Sequence, residues 1–394
     1  MGIKSGCVLK RVLVTVFFPK HVGGLQTHFD LLIQNLPSTG LEVVPLQRNG
    51  VRLNFGRKAL YAIRSGLSRE RATAQWISQQ IPAFSGLLHR AILEKRVELL
   101  HCHDVFSAYC VQDVNLPLVL TIHGPLHLEY KMLGWKNGKA LQWVYSVEKS
   151  SYERADEIVT VDSGLKDYVV REFGIDPEKI HIVRNAVDVE KVLSLSQKSC
   201  GLCGEMKAPF ALVPRRLVPK NGVAVAVNAM RFLKEQPFKL VIAGDGPERN
   251  RIISLLRKYD LEGKVVLLGE VPNEEVLSLM RQSFAVVVPS VPSEGVIEAT
   301  SLAALEAMAL GKVVVASNIG GLRELIDDSI DGFLFEAGNE NYLANILTKV
   351  FEDEQLRNYI GSNAQRKVLA DYVTQAWLHK ILEVYREAYE RFDR

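Results

Sequence analysis

Apolar residues along this chain follow two rhythms. Short unbroken runs rich in valine, isoleucine and leucine read as strands buried on both faces. They are VLVTVFF at 12–18, LEVVPL at 41–46, VELLHCH at 97–103, LPLVLTIHG at 116–124, EIVTVD at 157–162 and IHIVRNAV at 180–187. A second series follows: PFALVP at 209–214, FKLVIAGDG at 238–246, KVVLLGEV at 264–271, FAVVVPS at 284–290, KVVVASN at 312–318 and GFLFEA at 332–337. Between them, segments such as SLAALEAMAL at 301–310 carry the helical rhythm. Strand and helix alternating in this way predict an α/β chain of parallel sheets covered by helices. We expect two Rossmann-like domains facing each other across a cleft. The boundaries are 1–190 for the first domain, a less regular linker at 191–208, and 209–374 for the second. A last helix at 375–394 has an apolar stripe of Trp377, Ile381, Val384, Tyr385 and Ala388, and is expected to cross back towards the first domain.

Composition narrows the class. The chain has 394 residues, 47% of them hydrophobic, ample for two cores. No apolar run approaches the roughly 18 residues of a membrane span. VLVTVFF lacks the plan of a signal peptide and reads as the first strand. Five cysteines, without a disulfide framework, point to a reducing, cytoplasmic setting. A net charge of +3 gives no reason to expect nucleic-acid binding. The charge is uneven, however: residues 1–130 hold 14 basic side chains against 8 acidic ones.

The chemistry gathers at strand exits. In EATSLAALEAMALGK, 298–312, Glu298 lies in the loop before a helix and Glu306 in its second turn, with Thr300 or Ser301 as N-cap and Gly311 as the stop. The free amides of Ser301 and Leu302 favour an anion, phosphate above all. Two carboxylates beside a phosphate make sense as acceptors from hydroxyls on either side of it, as in a nucleotide-sugar. A solvated helix residue and a loop charge remain the alternative. Arg216 and Lys220, in VPRRLVPKNG, sit where two cations suit a diphosphate. Gly23 and Gly24 fill the turn after the first strand, either as a phosphate or sugar loop or as a plain tight turn. Gly244, in AGDGPE, shapes a nucleotide pocket or a good turn. His123 ends the strand LPLVLTIHG, where ligands bind in such sheets. In HCHD, His101 and His103 share a strand face while Cys102 points away; no second cluster at zinc spacing accompanies them, so no metal site is expected. Cys200 and Cys203 form a lone C-x-x-C in the linker.

Taken in order, these segments resemble glycosyltransferase family 4, the retaining enzymes of GT-B fold. The resemblance covers nearly the whole chain. It rests on Gly23–Gly24, TIHG at His123, ADEIVTVDS at 155–163, RNAVD at 184–188, RRLVPKNG at 215–222, AGDGPE and EATSLAALEAMALGK. It implies a nucleotide-diphosphate-sugar donor and a glycan or lipid-linked acceptor. Glu298 would contact the donor sugar, Glu306 the ribose hydroxyls, and Arg216 and Lys220 the diphosphate, joined by amides of Gly24, Ser301 and Leu302. His123 would lie by the reacting carbon. Arg215 stands where the family often has glycine, as do Ala186 and the Ala299–Ser301 segment. There is no D-x-D triplet, so no divalent metal or other cofactor is expected. Alternatives are a nucleotide-sugar 2-epimerase on the same fold and a nucleotide-binding protein without turnover. A nicotinamide oxidoreductase lacks its glycine fingerprint here.

One further segment bears on location. Residues 48–71 hold seven basic side chains against the single acid Glu70. Arg57, Arg64 and Arg71 recur beside an apolar stripe of Phe55, Ala59, Leu60, Ile63 and Leu67. Such a basic amphipathic helix suits an anionic membrane surface, and the alternative is that the stripe packs on the first domain's sheet.

Overall fold

In the computed structural model, residues 9–18, 24–48, 55–136, 138–198, 201 and 208–393 are described, the side chains of 55–69 excepted. The chain divides into two compact units, Met1–Arg184 with Trp377–Arg394, and Asn185–Ala376.

The first unit holds a six-stranded parallel sheet. Its strands are β1 (Arg11–Val16), β2 (Glu42–Gln47), β3 (Leu99–Cys102), β4 (Leu118–Ile122), β5 (Glu157–Thr160) and β6 (Ile180–Ile182), in the order β2-β1-β3-β4-β5-β6. Strands β3, β4 and β5 are buried along their whole length, as unbroken apolar runs require. The strand order reverses direction between β1 and β3. In open α/β sheets that switch point, at the carboxyl ends of the strands, is where ligands bind.

Residues 55–71 of the basic segment form the start of a long helix, Phe55–Lys95. Arg48, counted with its cations, is not one of them. Its guanidinium is buried, bonds to the Phe17 carbonyl at 3.0 Å and packs over the rings of Phe17 and Trp76. The side chains of Arg52, Arg57, Lys58, Arg64 and Arg69 lie outside the described residues.

The last helix runs Thr374–Phe392, and all five residues of its apolar stripe are buried. From Trp377 onward it belongs to the first unit. The Tyr385 hydroxyl meets His101 Nδ1 at 2.7 Å, Tyr389 donates to the Glu98 carbonyl, and Arg391 pairs with Glu157 at 2.6 Å.

The second unit repeats the plan with β7 (Phe210–Val213), β8 (Lys239–Ala243), β9 (Val265–Gly269), β10 (Ala285–Val288), β11 (Val313–Ser317) and β12 (Phe333–Phe335). Their order, β12-β11-β10-β7-β8-β9, places the switch point between β7 and β10. One apolar cluster covers each sheet face. Residues 189–196, which overlap the start of the expected linker at 191–208, form a helix whose Val192 is buried in the second of these clusters. Cys200 and Cys203 lie outside the described residues.

Candidate active site

In the second unit the chemistry collects at the switch point. Strand β7 delivers Arg215 to Gly222, and β10 delivers Ser290 and the loop to Ser301. Ser301 is the N-cap of helix Leu302–Ala309 and accepts from the Ala304 amide. That leaves the first amides of the helix, with the positive end of its dipole, at the carboxyl edge of the sheet.

The cation anchored here is Arg215. Its Nη2 lies 2.7 Å from Glu298 Oε2, Nη1 donates to Ser301 Oγ at 3.1 Å, and Nη2 reaches Asn221 Oδ1 and Ser290 Oγ at 2.6 and 3.2 Å. Both partners of the ion pair are about nine-tenths buried. A guanidinium can serve four oxygens at once because its donors form a rigid planar fork. Burial alone would push the Glu298 pKa up. The charges of Arg215 and Lys220, with hydrogen bonds from Arg215 and Ser290, outweigh it and hold the carboxyl below its usual value. Arg216, the next residue along, is exposed; its carbonyl accepts from Asn221 Nδ2. Lys220 is half-buried and near enough to Glu298 to act on its charge.

Glycines fix this arrangement from behind. Gly244 has φ of +153°, and a Cβ there would lie 2.1 Å from the Arg215 carbonyl oxygen; one at Gly246 would lie 2.5 Å from that of Leu217. AGDGPE therefore backs the Arg215–Leu217 segment, with the Leu217 amide bonded to the Asp245 carbonyl. Gly320 and Gly321, which motif reading passed over, clamp the Glu298 loop in the same way. The Gly321 amide donates to the Glu298 carbonyl, and a Cβ on Gly321 would meet the Thr300 nitrogen at 2.5 Å. Asn185, from RNAVD, donates to the Thr300 carbonyl at 3.1 Å.

Glu306 lies in the second turn of helix Leu302–Ala309, partly exposed, with no ion-pair partner among the described residues. Burial raises its pKa to about 7. At neutral pH it stands between carboxyl and carboxylate. Leu302 is the first residue of the helix and is half-buried.

In the first unit His123 follows β4, and Gly24 opens helix Gly24–Asn35, which carries His28; Gly23 lies outside the described residues. His103 follows β3, its amide bonded to the Thr15 carbonyl. The rings of His28 and His123 have centroids 4.9 Å apart, and those of His28 and His103 5.1 Å. Trp377 closes edge-on over His28. Burial, reinforced by mutual repulsion, puts His28 and His103 well below the ordinary histidine value; burial lowers His123 to about 4. These imidazoles are therefore neutral at pH 7. His28 gave no signal in the sequence, because it sits one helical turn past the glycine pair with no motif of its own.

The chain matches two family models, "Glycosyltransferase Family 4" over residues 22–191 and "Glycosyl transferases group 1" over residues 204–367. It is 27% identical to an uncharacterized glycosyltransferase of Methanocaldococcus jannaschii, covering 98% of this chain and all of that one. It is 30% identical, over 56% of this chain and 57% of the relative, to a Campylobacter jejuni protein. That relative is named N-acetylgalactosamine-N,N'-diacetylbacillosaminyl-diphospho-undecaprenol 4-alpha-N-acetylgalactosaminyltransferase. Among solved structures, Anabaena HepE in complex with UDP-glucose superposes with a TM-score of 0.67 at 18% identity, covering 95% of this chain and 99% of that one. The fold shared with it is that of the GT-B glycosyltransferases.

Proposed function

As the chain belongs to glycosyltransferase family 4, we propose that it moves a hexose from a nucleoside-diphosphate sugar to an acceptor hydroxyl with retention of configuration. The observation that carries this reading is the buried Arg215–Glu298 pair at the Ser301-capped start of helix Leu302–Ala309. It combines an anion-accepting helix end, a forked cation and a carboxylate held ionised. Each group has a task that a sugar diphosphate presents. Glu298 accepts hydrogen bonds from hydroxyls of the donor sugar. Arg215 and Lys220, with the amides of Ser301 and Leu302, stabilise the charge that develops on the departing diphosphate; one such donor is typically worth about 3–4 kcal/mol in the transition state. Arg216 stands on the same loop for the outer phosphate oxygens. Glu306, as carboxylate, accepts both hydroxyls of the ribose. Gly244 shapes the pocket by seating the Arg215 backbone. In the first unit, Gly23 and Gly24 supply backbone amides and neutral His123 accepts from a sugar hydroxyl near the reacting carbon. In a front-face reaction the departing phosphate takes the proton of the acceptor hydroxyl, which leaves no enzyme nucleophile to be named. UDP-glucose in the HepE complex supports a nucleotide-sugar donor.

A panel of nucleotide-sugars, read by thermal shift and by nucleotide release with and without acceptor, tests the reading. At least one donor should raise the unfolding temperature and release its nucleotide. Sugar interconversion without acceptor would make the protein an epimerase, and a panel with neither effect would overturn the assignment. Because protein cations and a helix end neutralise the diphosphate, turnover should persist in EDTA. Loss of turnover restored by Mg²⁺ or Mn²⁺ would show that they do not suffice.

We place the acceptor among lipid-linked or cell-envelope glycans. The lipid diphosphate in the name of the Campylobacter relative and the basic run of residues 52–71 support this choice. No helix among the described residues is long and apolar enough to cross a membrane, so association would be peripheral. In liposome flotation the protein should float with anionic vesicles at low salt, stay behind with neutral ones, and lose binding in the Arg57→Glu/Arg64→Glu variant. Indifference to lipid charge and salt would favour a soluble acceptor.

A further inference from the structure

We infer that His28, His103 and His123 form a reversible binding site for one d-block divalent cation of the zinc type. Their donor atoms lie within 4.8 Å of one another and come from three elements that meet where the first sheet reverses its strand order. Both ring nitrogens of His28, both of His103 and Nε2 of His123 are buried without a hydrogen-bond partner among the described residues. Neighbouring His101 is the contrast. Its Nδ1 meets the Tyr385 hydroxyl and its Nε2 the Thr121 hydroxyl, each at 2.7 Å. A buried polar atom left unpaired is destabilising. Native proteins carry few such atoms, and five on three adjoining rings call for a ligand that engages nitrogen.

The space selects the kind of ligand. His28 is 2% exposed and His103 is fully buried, so a sugar ring cannot reach their nitrogens. A single ion bonds imidazole nitrogen at about 2.0–2.1 Å and asks only that the three rings tilt inward. Three imidazoles with the fourth position open are a complete zinc donor set. Among the described residues no carboxylate or carbonyl is bonded to the far nitrogens of His28 and His103, support that typically contributes roughly 10–100-fold in affinity. The ion is therefore an exchangeable ligand, not a resident one. A consequence rests on the proposed role of His123: a bound ion engages the imidazole that faces the donor sugar, so the cation inhibits transfer and EDTA relieves it.

The full-length apo chain would be titrated with Co²⁺, watching the visible absorption of a tetrahedral site, and with Zn²⁺ against a chromophoric chelator. One ion per chain is expected. His103→Ala and, separately, His28→Gln should weaken binding roughly tenfold or more, with circular dichroism confirming the fold. The control is His181→Ala. It disrupts the other candidate group among the described residues, Glu157, His181 and Glu387, and should leave affinity unchanged. Absence of one-to-one binding, or binding lost in His181→Ala and kept in both other variants, overturns the proposal. Binding that maps to the cluster while Zn²⁺ leaves turnover untouched supports the site and overturns the role given to His123, so the two claims fail separately.

Discussion

Glu298→Ala should be the most damaging single substitution in the second unit, costing about 3–5 kcal/mol of stability, the usual penalty for orphaning one member of a buried ion pair. Arg215 would keep its full charge with about one-tenth of its side chain exposed, beside a helix end that is itself positive. Neither water nor the dipole can replace the lost carboxylate. Turnover should also fall, by roughly ten- to a hundredfold for one lost charge-assisted hydrogen bond to the sugar. Stability and chemistry are separable. Arg215→Met/Glu298→Leu replaces the pair with apolar side chains of similar size and should recover most of the stability, while turnover stays low. Denaturant unfolding and donor-dependent nucleotide release would be measured on both variants. A Glu298→Ala protein as stable and as active as the parent would contradict the pairing and its role together.

Glu306→Gln should do the opposite to stability: the free protein at pH 8 is expected to gain about 1–3 kcal/mol, at about 1.4 kcal/mol per unit of displaced pKa discounted for partial exposure. Burial lifts this carboxyl from 4.5 to about 7. Below pH 4.5 the folded and unfolded chains both hold the proton, and the group costs nothing. Between 4.5 and about 7 the unfolded chain releases it and the folded chain retains it, so stability falls as pH rises through that window. Above the window the folded chain carries a poorly solvated charge, and glutamine removes it. The same substitution should weaken nucleotide binding by about 1–3 kcal/mol, because an amide accepts less strongly than a carboxylate from the two ribose hydroxyls. Wild-type affinity should climb as pH passes through 7, and the climb attributable to Glu306 should vanish in the variant. Isothermal titration with the nucleoside diphosphate at pH 6 and 8, beside unfolding at both, reads both effects. A destabilised Glu306→Gln protein with unchanged nucleotide affinity would show that Glu306 is a structural residue.

A residue that weakens the free fold yet stays at the carboxyl edge of the sheet is what a binding site built before its ligand arrives looks like. Glu306 has no partner of its own among the described residues, and a ribose would supply two. Glu298 differs because Arg215 already satisfies it. In the proposed reaction that pair would be ordered before the donor enters, and the sugar would meet a carboxylate fixed in position.

Much of the architecture was written in local chemistry. Twelve apolar runs became twelve strands because an apolar run bounded by turns has few other ways to bury itself. The stripe Trp377, Ile381, Val384, Tyr385 and Ala388 had to find a core, since a helix with one apolar face is stable only when that face is covered. Thr300 or Ser301 before an alanine- and leucine-rich segment marked the start of a helix and with it an anion-accepting end, and the N-cap is Ser301. What the sequence left open were choices between near neighbours. The sequence pointed to Arg216 for the diphosphate; the path of the chain after β7, seated against Gly244, turns Arg215 towards Glu298 and leaves Arg216 exposed. Arg48 read as one cation of a basic face, yet the rings of Phe17 and Trp76 claim it. His28, His103 and His123 are far apart along the chain, and only the parallel crossover connections bring them together. The charge state of Glu306 was equally hidden. A pKa depends on how much water the fold removes and which charges it sets nearby, and both are properties of three-dimensional neighbours that local sequence does not encode.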